Sequence, residues 1–247
     1  MRGVAAAALV ALAVAACGGG ESDTTRVVTP PTATPPSATP TPPAAAPARE
    51  VRFSATDGEP VSALFTPAGK RAPAVLLLHE IHGRPEQWED FVPYLHAAGF
   101  ATLAYESRGT PVEKDRLPDA LGALRWLRGR DDVDAGRIAL VGASIGASTT
   151  VLAMATGARR TADAAVALSP PDTPDVADLQ DAGRYRPHDV LFVSDESESS
   201  PVDGMLRGAV RSRAMRSQGP GHGVRLLKED GVRSALLDWL DDRVKRR

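Results

Sequence analysis

Residues Ile138 to Ala147, Ile-Ala-Leu-Val-Gly-Ala-Ser-Ile-Gly-Ala, constrain the fold more than any other stretch. A short apolar run of β type leads into Gly-x-Ser-x-Gly, and a small-residue, helix-compatible segment follows from Ala147 to Thr156. Strand, tight turn and helix in that order form a nucleophile elbow. The turn is expected to hold Ser144 in a strained conformation, while Gly142 and Gly146 keep Cβ atoms out of the crowded crossing of strand and helix. The Ser144 hydroxyl then stands above the strand end, beside a helix N-terminus whose free N–H groups can stabilise an oxyanion. Ile145 N–H, next after the serine, is one such donor by the geometry of the turn.

The rest of the chain alternates in the same way. Val51–Phe53 and Val61–Phe65 flank Asp57-Gly58 as an entry β-hairpin. Ala74–Leu78 is a continuous apolar run, as expected of a strand covered on both faces. Pro85 to Ala98 carries Trp88, Phe91, Val92 and Leu95 on one helical stripe, closed by Gly99. Further strands are predicted at Ala101–Tyr105, Ile138–Val141, Ala164–Leu168, Val190–Val193 and Val224–Leu227. Further helices are predicted at Leu117–Arg128, Gly204–Arg213 and Val232–Arg243. Mostly apolar strands alternating with helices give an α/β fold, a mostly parallel sheet flanked by helices.

The N-terminal fifth has a different character. Arg2 followed by Val, Ala and Leu alone from Val4 to Ala16 reads as a signal peptide, residues 1–16, since thirteen apolar residues are too few to span a bilayer. The run ends Val14-Ala15-Ala16-Cys17-Gly18, which resembles the bacterial lipobox. That resemblance implies cleavage before Cys17 and its lipidation, with an ordinary signal peptide and an incidental cysteine as the alternative. Cys17 is the only cysteine, so no intramolecular disulfide forms. Residues 17–48 then form the anchor and a linker, with eight prolines between 30 and 47. Such a segment buries no core and favours extended polyproline conformations, reaching up to ~95 Å from a membrane at ~3.1 Å per residue. The 199 residues from 49 to 247 are enough for one substantial domain. A net charge of -2 gives no reason to expect a nucleic-acid partner.

Residues from about 50 to 245 resemble the α/β-hydrolase superfamily, and specifically its dienelactone-hydrolase-like branch. The resemblance rests on Leu78-His79-Glu80-Ile81-His82-Gly83 after the third strand, on Gly142-Ala143-Ser144-Ile145-Gly146, and on Gly221-His222-Gly223 near the end. It implies the α/β-hydrolase fold, no cofactor, and a nucleophile, acid and histidine in that chain order. Ser144 needs a base, and His222, in a glycine-rich loop, is the candidate. The orienting acid comes from Ser194-Asp195-Glu196-Ser197-Glu198. Counting five residues past Val193, as in many relatives, selects Glu198. Asp195 lies nearer the strand end, has the commoner side chain, and stays open as the alternative. The resemblance further implies Ile81 N–H as the second oxyanion donor and Glu80 as an auxiliary near the nucleophile. Those relatives commonly carry cysteine where this chain has Ser144, so Glu80 would position water or substrate. A salt bridge from Glu80 to an arginine such as Arg108 is the structural alternative.

Other polar residues have plainer readings. His79-Glu80-Ile81-His82 spaces its histidines three apart after a strand, whereas a zinc-binding His-Glu-x-x-His helix needs four, so no metal site is expected. His96 and His188 have no recognisable partners in sequence. Tyr105-Glu106-Ser107-Arg108-Gly109 resembles the fold's Asp-x-Arg-Gly turn and suggests a structural ion pair. Between Leu168 and Val190 there is too little chain for a large lid domain. The function that follows is a serine hydrolase cleaving a small-molecule carboxylic ester or lactone through an acyl-enzyme. It would be tethered to a membrane outside the cytoplasm, in the cell envelope. The alternatives are a non-catalytic binding or scaffold lipoprotein on the same fold, or an acyltransferase or peptidase using the same triad.

Overall fold

The computed structural model describes residues 42–108, 113–156 and 161–246. The expected signal peptide, Cys17 and most of the linker lie outside the described residues. Among those described, no helix is long and apolar enough to cross a membrane.

Eight strands form one sheet: β1 (Arg49–Ser54), β2 (Pro60–Thr66), β3 (Ala72–Leu78), β4 (Ala101–Tyr105), β5 (Val133–Ala143), β6 (Ala164–Leu168), β7 (Val190–Ser194) and β8 (Arg213–Arg216). Their order is β1-β2-β4-β3-β5-β6-β7-β8. The β1–β2 hairpin and the β2–β4 pair are antiparallel, and all pairs from β4 to β8 are parallel. The chain has the α/β-hydrolase fold.

The central strands are apolar at successive positions because both faces are covered. On one face Leu76, Leu140, Ala167 and Phe192 pack with residues of α2 (Glu113–Arg128) and α3 (Ile145–Thr156). On the other, Leu77, Val141, Val166 and Val193 pack with α1 (Val92–Ala97) and α6 (Asp230–Leu240). Residues Ile145 to Met154 of α3 are all buried, which explains why that helix has no polar stripe in sequence. Two shorter helices, α4 (Pro174–Asp181) and α5 (Ser199–Leu206), follow β6 and β7. The interval after β6 therefore holds a short helix rather than a lid domain.

Several element boundaries differ from the sequence expectation. The segment 85–98 is interrupted, with a 3₁₀ turn at Pro85–Trp88 and α1 beginning at Val92. Pro93 has no amide to continue an upstream helix, yet is tolerated in the first turn of a new one. Val224–Leu227 is not a strand: it lies in a 3₁₀ helix over Gly223–Lys228, with Leu226 and Leu227 both buried. A four-residue apolar run cannot tell the two apart by periodicity. The edge position belongs instead to β8, Arg-Ala-Met-Arg, whose first residue, Arg213, is the last of the helix expected over Gly204–Arg213 and whose other three fall in no expected element. Charged side chains on an exposed edge guard against pairing with other chains, and they hide the strand from hydrophobic pattern. The helix in that region, α5, starts and stops earlier. Gly208 lies past its end, packed so closely on Tyr185 that a Cβ would stand 2.5 Å from the ring.

Candidate active site

The parallel strands bring their C-terminal ends to one edge of the sheet, and the loops that follow β3, β5, β6 and β7 meet there with the segment preceding α6. In α/β sheets this edge is where ligands bind.

Ser144 occupies the turn between β5 and α3 with φ +52°, a left-handed conformation uncommon for a residue with a side chain. The neighbouring glycines are there for space. A Cβ on Gly142 would stand 2.2 Å from Gly146 O, and one on Gly146 would stand 2.3 Å from Leu78 O. Ser144 N–H donates to Leu168 O at 2.8 Å, tying the elbow to the end of β6, and Ser144 O accepts from Ala147 N–H at 2.8 Å. Ile145 opens α3, where first-turn amides lack intrahelical acceptors. Ile81 lies in the turn after β3 with 43% of its surface exposed, and His82 beside it has φ +59°.

His222 sits just before the 3₁₀ helix, and its Nδ1 is 2.5 Å from Glu198 Oε1. A carboxylate only accepts, so the proton of this contact is on Nδ1, and Nε2 is the basic nitrogen of the neutral ring. Asp195 does not contact the imidazole ring through any bond of this kind; it works on the backbone around it. As N-cap of the 3₁₀ turn Glu196–Glu198, its Oδ1 accepts from Glu198 N–H at 3.1 Å and Ser197 Oγ at 2.7 Å. Its Oδ2 accepts from Gly221 N–H at 3.0 Å. These donors, Ser197 hydroxyl first, hold the Asp195 carboxyl below its usual range.

The other amides flanking His222 are also received by side chains. Gly223 N–H donates to Ser169 Oγ at 3.0 Å, and Val224 N–H donates to Glu80 Oε1 at 2.9 Å. Gly223 has φ +56°, and a Cβ there would stand 1.8 Å from Glu80 Oε1. Glu80 thus braces the histidine loop. It does not pair with Arg108, which donates to Asp119 at 2.8 Å and Asp57 at 2.6 Å. Ser169 was not singled out from sequence. Its only signal is its place directly after an apolar strand, since β6 ends at Leu168. Leu168 O holds Ser144 and Ser169 Oγ holds the residue after His222, so one peptide unit connects the elbow to the histidine loop.

His79, buried at the end of β3, is a structural residue. Its Nδ1–H donates to Glu80 O at 2.6 Å, and its Nε2 accepts from Ser107 N–H at 3.0 Å. Burial pushes its pKa down and favours the neutral ring. Among the described residues no three His, Cys, Asp or Glu side chains converge in a way that would hold a metal ion. His188 has a partner after all, with Nδ1 3.2 Å from the buried Asp189, which also receives Arg211 and Arg243.

Comparisons with known proteins agree with this architecture. An esterase of Pyrococcus furiosus superposes with a TM-score of 0.63 at 15% identity, covering 82% of this chain and 99% of that one. A thermophilic carboxylesterase cloned from a metagenomic library gives 0.62 at 20% identity over 80% and 88%. An esterase of Pyrobaculum calidifontis gives 0.62 at 18% over 79% and 84%. At such identities the likeness is one of fold. An uncharacterized protein of Mycobacterium tuberculosis, found in two strains, is 33% identical over 111 residues, which is 42% of this chain and 40% of that protein's length. No family model matches.

Proposed function

We propose that the protein is a serine hydrolase that cleaves a carboxylic ester or lactone through an acyl-enzyme, with Ser144 as nucleophile, His222 as base and Glu198 as orienting acid. The observation that carries this reading is the joint placement of a left-handed serine at a strand–helix elbow and a histidine whose Nδ1 meets a carboxylate at 2.5 Å, on loops joined through Leu168 and Ser169. In this mechanism Ser144 Oγ attacks the ester carbon as His222 Nε2 takes its proton, and Glu198 stabilises the imidazolium that forms. The amides of Ile145 and Ile81 receive the oxyanion. Collapse expels the alcohol with the proton from His222. Water then attacks the acyl group, giving one proton to His222, which returns it to Ser144 Oγ as the acid leaves. The dienelactone-hydrolase-like branch is the closest fit for the Glu80 position, here with serine in place of the thiol.

The same proposal places the domain outside the cytoplasm, held on a membrane by lipid on Cys17 and separated from it by the proline-rich linker; acyl chains at one site suffice for stable anchoring when there are two or more. The support is the sequence from Met1 to Ala48.

The test is labelling of the full chain with a fluorophosphonate probe, alongside hydrolysis of short-chain p-nitrophenyl esters. Wild type labels, Ser144→Ala does not, and His222→Ala labels slowly. Folded wild type that neither labels nor turns over esters would favour a binding role on this fold. Transfer of the acyl group to added alcohols or amines in preference to water would favour an acyltransferase. Palmitate incorporation in wild type but not in Cys17→Ser tests the anchor.

A further inference from the structure

Beside the histidine loop is a small cavity of about 170 Å³ that the proposed reaction does not use, lined by Gln87, Phe91, Tyr94, Val224, Arg225 and Leu227, with Asp90, Lys228 and Arg233 completing the wall. It is well below the roughly 300–1,000 Å³ typical of sites for drug-sized ligands. Its lining leans positive: Arg225, Lys228 and Arg233 stand with one carboxylate, Asp90, and while Arg233 is paired with Asp230, neither Arg225 nor Lys228 has a carboxylate partner among the described residues.

Arg233 is the fixed point of the cavity. Only 7% of it is exposed, and its guanidinium lies 4.5 Å from the centre of the Tyr94 ring. Its Nη1 donates to Leu227 O at 2.6 Å and its Nη2 to Asp230, which locks the plane, yet its buried Nε–H has no acceptor among the described residues. A buried donor of a charged group without a partner is costly to desolvate, so such groups normally meet an anion or ordered water. A planar, preorganised guanidinium with two further cations at the rim suits an oxyanion.

We propose that this cavity binds a small oxyanion, a carboxylate or phosphate group, held by Arg233 at the wall and by Arg225 and Lys228 at the mouth. The site is separate from the Ser144 hydroxyl, and its occupancy does not depend on the hydrolase reading. Val224 and Gln87 line it, and both hydrogen-bond Glu80, at 2.9 and 3.2 Å, so an anion here bears on the loop that carries His222.

The test is isothermal titration of the full chain in the Ser144→Ala background with inorganic phosphate and, separately, acetate, at fixed ionic strength. Saturable one-to-one binding of at least one probe is expected, weakened tenfold or more in Arg225→Ala/Lys228→Ala. Those two side chains are exposed, so that variant keeps its circular dichroism and thermal transition even if Arg233→Met fails to fold. A control pair, Arg184→Ala/Arg186→Ala, binds like the parent. Absence of saturable binding, unchanged affinity in the folded Arg225/Lys228 variant, or equal weakening in the control pair would each overturn the proposal. Because the background lacks the serine, failure here leaves the hydrolase reading untouched, and loss of fluorophosphonate labelling leaves this site untouched.

Discussion

Asp195 Oδ2 receives the amide of Gly221 at 3.0 Å, one residue before His222. The other oxygen of the same carboxylate caps the turn that presents Glu198. One side chain therefore sets the spacing between the loop bearing the proposed acid and the loop bearing the proposed base.

Removal of that clasp is expected to cost turnover more than binding. Asp195→Ala should lower kcat on p-nitrophenyl esters by about 10–100-fold, the scale of a small misplacement of catalytic groups, with KM changed much less. Glu198→Ala should do at least as much damage, and Asp195→Asn, which keeps one acceptor oxygen, should lie between Asp195→Ala and wild type. Equal kinetics in wild type and Asp195→Ala would argue that the loops are held without it.

Gly223 offers a test of the packing between Glu80 and the histidine loop. Gly223→Ala places a Cβ in a left-handed conformation, worth about 1–3 kcal/mol of strain, and drives it into the Glu80 carboxylate. Thermal unfolding should show a clear loss of stability. In a Glu80→Ala background the same substitution should cost less, because only backbone strain is left, and the double-mutant cycle measures the difference.

The buried His79 ring gives the fold an acid-sensitive point. Its folded pKa lies below the ordinary value of about 6.5, so the unfolded chain takes up a proton first. Its contribution to stability is complete above that value and is lost as pH falls below it toward the folded pKa. Protonation would also turn Nε2 against the Ser107 amide it now accepts from. Denaturant midpoints of wild type should fall between pH 7 and 5 more steeply than those of a folded His79→Gln variant.

At the opposite end of β7, Asp189 is fully buried while two of its partners reach water, Arg211 with 57% of its side chain exposed. Asp189→Ala should destabilise by about 1.5–3 kcal/mol, the range for hydrogen bonds to charged groups. The arginines can turn to solvent, so the larger penalty of a stranded buried cation does not apply. Urea unfolding checks this, with activity of the folded fraction unchanged.

The sequence by itself determined the elements whose signals are local. Gly142 and Ser144 specify the elbow locally, because the clash avoided at Gly142 arises between a strand and the helix directly after it, whereas the space that Gly146 leaves is for Leu78 at the end of β3. The apolar runs of β3, β4, β5, β6 and β7 announce a buried parallel sheet because a strand covered on both faces has no polar positions. What depended on distant contacts was decided only by the tertiary structure. Nothing local distinguishes Glu198 from Asp195 in the acidic run. Their division, one carboxylate to the imidazole and the other to the backbone, follows from where Gly221 and His222 arrive after β8, the strand paired with β7. Ser169 and Glu80 receive amides 54 and 144 residues away. The charged strand β8 is held by pairing with β7 rather than by its own pattern. Hydrogen bonds between side chains and remote backbone carry no periodicity, and they exist only once the sheet has brought its C-terminal loops together.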